Sequence, residues 1–158
     1  MTKIIFELLE QAQELCELGE FNQAILIYNR ILKKEPNNIS ALIDKGTTLQ
    51  RLEQNESSLE CLKMALSIEP ENIDALISIG ATLHAMKEFN AAIDYYDIAL
   101  KIDENFPIAL AYKGLALGEL GDIDNALHFF KAALSIDRDY DVALEGKESV
   151  TNILKSEN

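Results

Sequence analysis

The chain repeats itself every 34 residues. At that offset Ala41-Leu42 falls on Ala75-Leu76, on Ala109-Leu110 and on Ala143-Leu144. Gly46 falls on Gly80 and Gly114, Leu49 on Leu83 and Leu117, Ala65-Leu66 on Ala99-Leu100 and Ala133-Leu134, and Ile68 on Ile102 and Ile136. A period of this length marks a stack of supersecondary units, each too small to cover its own apolar face and each sharing its core with its neighbours. Such a stack encloses no central pocket.

Within one period the apolar spacing is helical. Leu42, Gly46 and Leu49 fall at i, i+4 and i+7, and Leu59, Leu62 and Leu66 resume the pattern after the polar break Glu53-Gln54-Asn55-Glu56. A break that short permits only a turn, so each unit is two antiparallel helices. The equivalent breaks Leu18-Gly19-Glu20 and Leu120-Gly121-Asp122 carry glycine where a helix C-terminus wants positive φ. Pro36 and Pro70 fall just past second helices, Asn38 and Asn72 are placed to cap the helices that follow, and Pro107 suits a first helical position.

The glycine column predicts close packing. Gly46, Gly80 and Gly114 sit mid-helix, where glycine costs about 1 kcal/mol relative to alanine, so close approach of the paired helix must compensate. The small residues Ala24, Ser58, Ala92 and Ala126 are expected to complete that contact. The large Tyr28, Leu62, Tyr96 and Phe130 are expected to fill the space between units.

Small residues at Gly46, Gly80, Gly114, Ala92 and Ala126, aromatics at Tyr96 and Phe130, alanines at Ala65, Ala99 and Ala133, and prolines at Pro36 and Pro70 together resemble the tetratricopeptide repeat. The resemblance covers nearly the whole chain. It implies an all-α fold: a right-handed α-α superhelix, or solenoid, of four hairpins at about 5–38, 39–72, 73–106 and 107–140, within one domain spanning 1–158. A solitary helix at about 141–155 would cap the stack, with Ala143, Leu144, Val150 and Leu154 inward and Glu145, Glu148, Asn152 and Lys155 outward. Departures from the family pattern conserve volume: Leu8, Leu42, Leu76 and Leu110 stand for its early tryptophan, and Glu104 and Arg138 stand where proline is usual.

Composition narrows the function. Twenty-seven acidic against fourteen basic residues give a formal charge of -13, which repels phosphate backbones and anionic membrane surfaces. An acidic protein of this kind has neither nucleic acid nor membrane as its expected partner, and a basic protein remains compatible. Cys16 and Cys61 have neither CxxC nor His-rich spacing, so reduced thiols, no metal and a cytoplasmic location are expected. Glu7 interrupts the N-terminus before any signal-peptide length is reached, and no stretch of about 18 apolar residues occurs.

No catalytic chemistry is apparent. His84 and His128 lie in different repeat columns, and GxxxxGK[ST], HExxH, GxSxG and a strand-borne GxGxxG are all missing. His84 is expected to face solvent or a groove, and His128 to flank packing aromatics on the surface. Asp94 and Asp97, like Asp122 and Asp124, are expected near helix starts, where carboxylates favour the dipole. The chain is therefore expected to be a non-enzyme without a cofactor.

A concave face is the expected binding surface. The resemblance implies that first helices line it, and the stripe beside their packing face comprises Leu9, Gln13 and Cys16; Ile43, Thr47 and Gln50; Ile77, Ala81 and His84; and Ala111, Leu115 and Gly118. The best-known peptide receptors of the family clamp a terminal carboxylate with lysine, asparagine and arginine side chains. At the columns that would carry that clamp this chain has Leu9, Gln13, Asp44, Ile77 and Ala81, with Glu10, Glu17, Asp74 and Glu119 nearby. Acidic tails would meet repulsion, so an apolar or basic helix or extended peptide is the expected ligand, anchored by Ile43, Ile77, Ala111 and Leu115. The expected function is that of a protein-binding adaptor. The alternative is a self-associating module, in which the concave face or the apolar first unit, with Ile4, Ile5, Phe6, Leu8 and Leu9, packs on a second copy as a homo-dimer.

Overall fold

The computed structural model describes residues 3–156, and all regular structure among them is α-helical. Met1-Thr2, part of the N-terminal reading above, lies outside the described residues. The helices are α1 (Lys3–Glu17), α2 (Phe21–Lys34), α3 (Ile39–Arg51), α4 (Asn55–Ile68), α5 (Ile73–Ala85), α6 (Phe89–Ile102), α7 (Pro107–Glu119), α8 (Ile123–Ile136) and α9 (Asp141–Ser156). Two compact units divide the chain, Met1–Thr82 and Leu83–Asn158, with the division inside α5.

One backbone device closes every hairpin. The N–H groups of Glu20, Gln54, Glu88 and Asp122 donate to the carbonyls five residues back, Leu15, Leu49, Leu83 and Leu117, at 2.8, 2.9, 2.9 and 2.9 Å. This is the Schellman arrangement, and it needs a left-handed residue just before the donor. Gly19 and Gly121 supply it at φ 78° and 80°, as their sequence positions require. The same register forces Glu53 and Lys87 to φ 59° and 63°, at a cost of roughly 1 kcal/mol each for a residue with a Cβ. Between hairpins, Asn38 Oδ1 accepts from Ala41 N–H at 3.0 Å and Asn72 Oδ1 from Ala75 N–H at 2.9 Å. Phe106 cannot cap in this way, and Pro107 opens α7 instead.

In the first unit α1 packs on α2, α2 on α3 and α3 on α4. Ile5, Leu8, Tyr28 and Ile31 form a core cluster with Ala12, Ala24 and Ala41, whose small size lets the helices approach. The glycine column works differently from the sequence expectation. A Cβ on Gly46 would stand 2.7 Å from Leu62 Cγ, so the space belongs to the large side chain of the partner helix. Ser58 contributes its backbone carbonyl, 3.3 Å away, and turns its hydroxyl to Thr82 at 3.2 Å. The reason is geometric: Leu62 lies one turn beyond Ser58 and leans back over it toward the glycine.

The second unit repeats the device with an aromatic. A Cβ on Gly114 would stand 2.9 Å from the Phe130 ring, and one on Gly146 of α9 only 2.4 Å from it. Phe130 is thus wedged between two helices, and it fastens α9 to the last hairpin. Leu144 correspondingly does not turn inward as expected; it is 43% exposed, because Gly146 and Val150 occupy the packing face with Ala143. Lys113 of α7 ties three helices together, pairing with Asp97 of α6 at 2.5 Å and lying 4.4 Å from the Phe129 ring of α8. Asp94 and Asp97 therefore do not lie near a helix start: both are more than a turn inside α6, and Asp97 serves this ion pair.

Candidate functional site

The first unit carries a polar cleft of about 250 Å³ between α1 and α3, floored by Tyr28 of α2. Three residues of the expected stripe, Gln13, Cys16 and Thr47, line it, together with Asp44. Its inner hydroxyl groups are satisfied among themselves. The Thr48 hydroxyl donates to the Asp44 carbonyl at 2.6 Å, so the Cys16 thiol, 3.3 Å from Thr48 Oγ1, acts as donor to it. The buried Tyr28 hydroxyl, 3.8 Å from Cys16 Sγ, donates to the sulfur in turn. Burial pushes the Tyr28 phenol well above its ordinary value and keeps it neutral.

Asp44 is the exception. Burial raises its carboxyl above the ordinary carboxylate range, the Asp74 charge adds to that, and the neighbouring Gln13 amide works the other way. No cation pairs with it among the described residues. Arg51, at the mouth, lies over the Phe21 ring at 5.8 Å instead.

The remaining stripe residues of this unit divide. Leu9 and Ile77 are 7% and 8% exposed, and Leu9 belongs to the core cluster, so these two serve packing and not the surface. Ile43 is half-buried against the cluster of Leu42, Ala65 and Ala75. Thr47, Gln50 and Ala81 are likewise half-buried, whereas Gln13 is exposed.

The second unit carries a cleft of about 240 Å³ between α7 and α9. Leu115 of the expected stripe lines it beside Ile123, Val150 and Ile153, and Gly118, where a Cβ would meet nothing nearer than 3.9 Å, leaves the room. Ala111, expected as an anchor, has no exposed surface. Leu9 and Ala111 alike belong to core clusters that the following hairpin or helix joins, with Ala41 of α3 in the one and Ala143 of α9 in the other. His84 is half-buried, edge-on to Phe89 at 5.0 Å, with Nε2 buried and unpartnered among the described residues. Burial lowers its pKa and the Glu119 charge opposes that shift. His128 lies exposed on α8 against Phe129 at 5.4 Å, in keeping with the surface placement expected of it.

Sequence reasoning misses the contribution of α9 and the Tyr28 floor, because the repeat pattern assigns both to packing alone. The available signal is the absence of a side chain at Gly118, which opens space that nothing in the repeat pattern refills.

The family profile described as the cilia and flagella-associated protein 70 middle TPR-like domain matches residues 8–117, and that of the tetratricopeptide repeat matches 109–140. No curated protein sequence matches. Among solved structures, the chain is similar to a thermophilic TPR protein, TTC0263, from Thermus thermophilus, at TM-score 0.86 and 18% identity over 95% of this chain and 82% of that one. It is similar to PilW, a widely conserved type IV pilus biogenesis factor, at TM-score 0.88 and 22% identity, over 97% of this chain and 71% of that one. It is also similar to the first TPR of Spaghetti (RPAP3), bound to the HSP90 peptide SRMEEVD, at TM-score 0.69 and 15% identity over 74% of this chain and 93% of that one. These likenesses show the fold, an all-α solenoid of helical hairpins. With 8–117 matched by one profile of this kind and 109–140 by the other, the chain belongs to the tetratricopeptide-repeat family.

Proposed function

We propose that the chain is a non-catalytic adaptor that binds a peptide or helix of another protein on the face formed by its first helices. It would do so as one domain of four repeats, 5–38, 39–72, 73–106 and 107–140, closed by the helix at 141–155. The observation that carries this reading is the pair of open clefts, one in each unit, lined by α1 and α3 and by α7 and α9. Stripe residues Gln13 and Thr47 line the first and Leu115 the second. Each cleft is sized for a side chain and too small for a folded partner.

The Spaghetti repeat is bound to a peptide rich in carboxylates. This chain's corresponding expectation is reversed, since Glu17 and Asp44 at the first cleft favour apolar or basic peptides over acidic tails. Neither nucleic acid nor membrane suits a formal charge of -13. Among the described residues, no helix is long and apolar enough to cross a membrane. Free Cys16 and Cys61 fit a reducing cytoplasm.

Selection from a random peptide library on the immobilised chain tests the reading. Thr47→Arg and Ser149→Arg would fill the two clefts from partly and fully exposed positions and should each abolish or redirect enrichment. Equal enrichment on both variants and the parent would contradict it. A second reading, self-association, is favoured by Ile4 and Phe6 of α1, 59% and 54% exposed. Light scattering over a concentration series checks it: a mass that stays monomeric removes it, whereas a dimer lost on Ile4→Lys with Phe6→Lys supports it.

A further inference from the structure

We infer that the cleft between α1 and α3 receives a lysine side chain of the bound peptide, with Asp44 as its counter-ion. The inference rests on the peptide-binding reading and gives one cleft a specific occupant. Of the groups lining that cleft, the Thr48 hydroxyl, the Cys16 thiol and the Tyr28 phenol have already spent their protons on one another and on the Asp44 carbonyl. What remains is acceptor capacity. Asp44 presents a half-buried carboxylate with no cation paired to it among the described residues, and exposed Glu17 puts a second carboxylate at the rim. The cleft's own cation, Arg51, is turned onto the Phe21 ring and pairs with neither acid.

The chemistry selects lysine over arginine. A guanidinium binds a carboxylate through two parallel N–H groups and needs that edge clear, whereas Gln13 stands beside Asp44 and shares it. A compact ammonium with three donors suits the surroundings better: one carboxylate oxygen, the Gln13 carbonyl and the Thr47 hydroxyl. The Thr47 hydroxyl gives its proton to the Asp44 carbonyl at 3.0 Å and keeps lone pairs free to accept. A space of about 250 Å³ admits one long side chain with its hydration, a water occupying about 30 Å³. A peptide's terminal carboxylate would instead meet Asp44 and Glu17 directly.

The test has two arms. Nα-acetyl-lysine amide, titrated into the isotope-labelled full chain, should shift the amide signals of Gln13, Cys16, Asp44 and Thr47 saturably. The norleucine analogue should not, and the arginine analogue should bind more weakly. Asp44→Asn should weaken the lysine response about tenfold and Glu17→Gln, at the exposed rim, by a smaller factor, both with the parent's amide dispersion elsewhere. A response shared with norleucine, or unchanged in Asp44→Asn, would overturn the inference. In the second arm, peptides selected on the parent chain should share one lysine that those selected on Asp44→Asn lack. Selected peptides without lysine overturn the inference and leave the groove reading intact. Failure to select any peptide overturns the groove reading, and the inference with it.

Discussion

The clefts of the two units use the same repeat columns for different chemistry. The column of Gln13, Thr47, Ala81 and Leu115 passes from amide and hydroxyl to methyl and isobutyl, and that of Cys16, Gln50, His84 and Gly118 ends with no side chain at all. The α1–α3 cleft is accordingly polar and floored by a phenol, whereas the α7–α9 cleft is walled by Leu115, Ile123, Val150 and Ile153. Beside these columns, the packing pairs Gly46 with Leu62 and Gly114 with Phe130 keep one size logic throughout. Folding therefore constrains one set of positions and leaves the adjacent set free to diverge, which is how a repeat scaffold acquires a particular partner.

The largest expected effect falls on the second unit's wedge. Phe130→Ala should cost about 3–5 kcal/mol of unfolding free energy in denaturant melts, since the ring fills the space between α7 and α9. Gly146→Ala, whose Cβ would stand 2.4 Å from that ring, should cost roughly 2 kcal/mol despite alanine's better helix propensity. Most of that penalty should vanish in a Phe130→Leu background. Gly46→Ala in the first unit should cost less, about 1 kcal/mol, because Leu62 changes rotamer more readily than a wedged ring moves.

Smaller gains are expected at the turns. Glu53→Gly in the first unit and Lys87→Gly in the second should each stabilise by roughly 0.5–1 kcal/mol, relieving φ values of 59° and 63°. Gly121→Ala should destabilise by a similar amount, read in the same melts.

The smallest effect is a pH dependence of opposite sign in the two units. His84 has a folded pKa below its ordinary 6.5, so the unfolded chain binds its proton more readily and stability falls as pH drops from 6.5 toward the folded value. Asp44 has a folded pKa above 3.8, so the folded chain holds its proton longer, and stability rises as pH drops through that raised value toward 3.8. Melting curves at stepwise lower pH should lose the first trend in His84→Leu and the second in Asp44→Asn. Both shifts should amount to at most a few degrees, since each group is partly exposed.

The fold is readable because it rests on periodic size. Ala65, Ala99 and Ala133, or Gly46 and Gly114, recur at fixed spacing, and turns at Gly19 and Gly121 announce themselves by residue type. Glu53 and Lys87 do not, since a left-handed residue other than glycine is imposed by register and carries no local mark. The site is readable only in part. Gln13, Thr47 and Leu115 can be placed from the stripe, but Leu9, Ile77 and Ala111 are withdrawn by helices whose reach depends on tertiary packing. The Tyr28 floor and the α9 wall come from other elements altogether, so no single helix pattern encodes them.

The most direct measurement exchanges cleft-lining columns while leaving packing columns alone. In Gln13→Leu with Asp44→Ser, the α1–α3 cleft receives the residues that Leu115 and Ser78 hold at equivalent positions. The expected result is an unfolding free energy within about 1 kcal/mol of the parent, with library-selected peptides that lose their lysine and gain apolar residues. Collapse of the fold, or selection of the same peptides as the parent, would contradict the separation of folding and recognition between neighbouring columns.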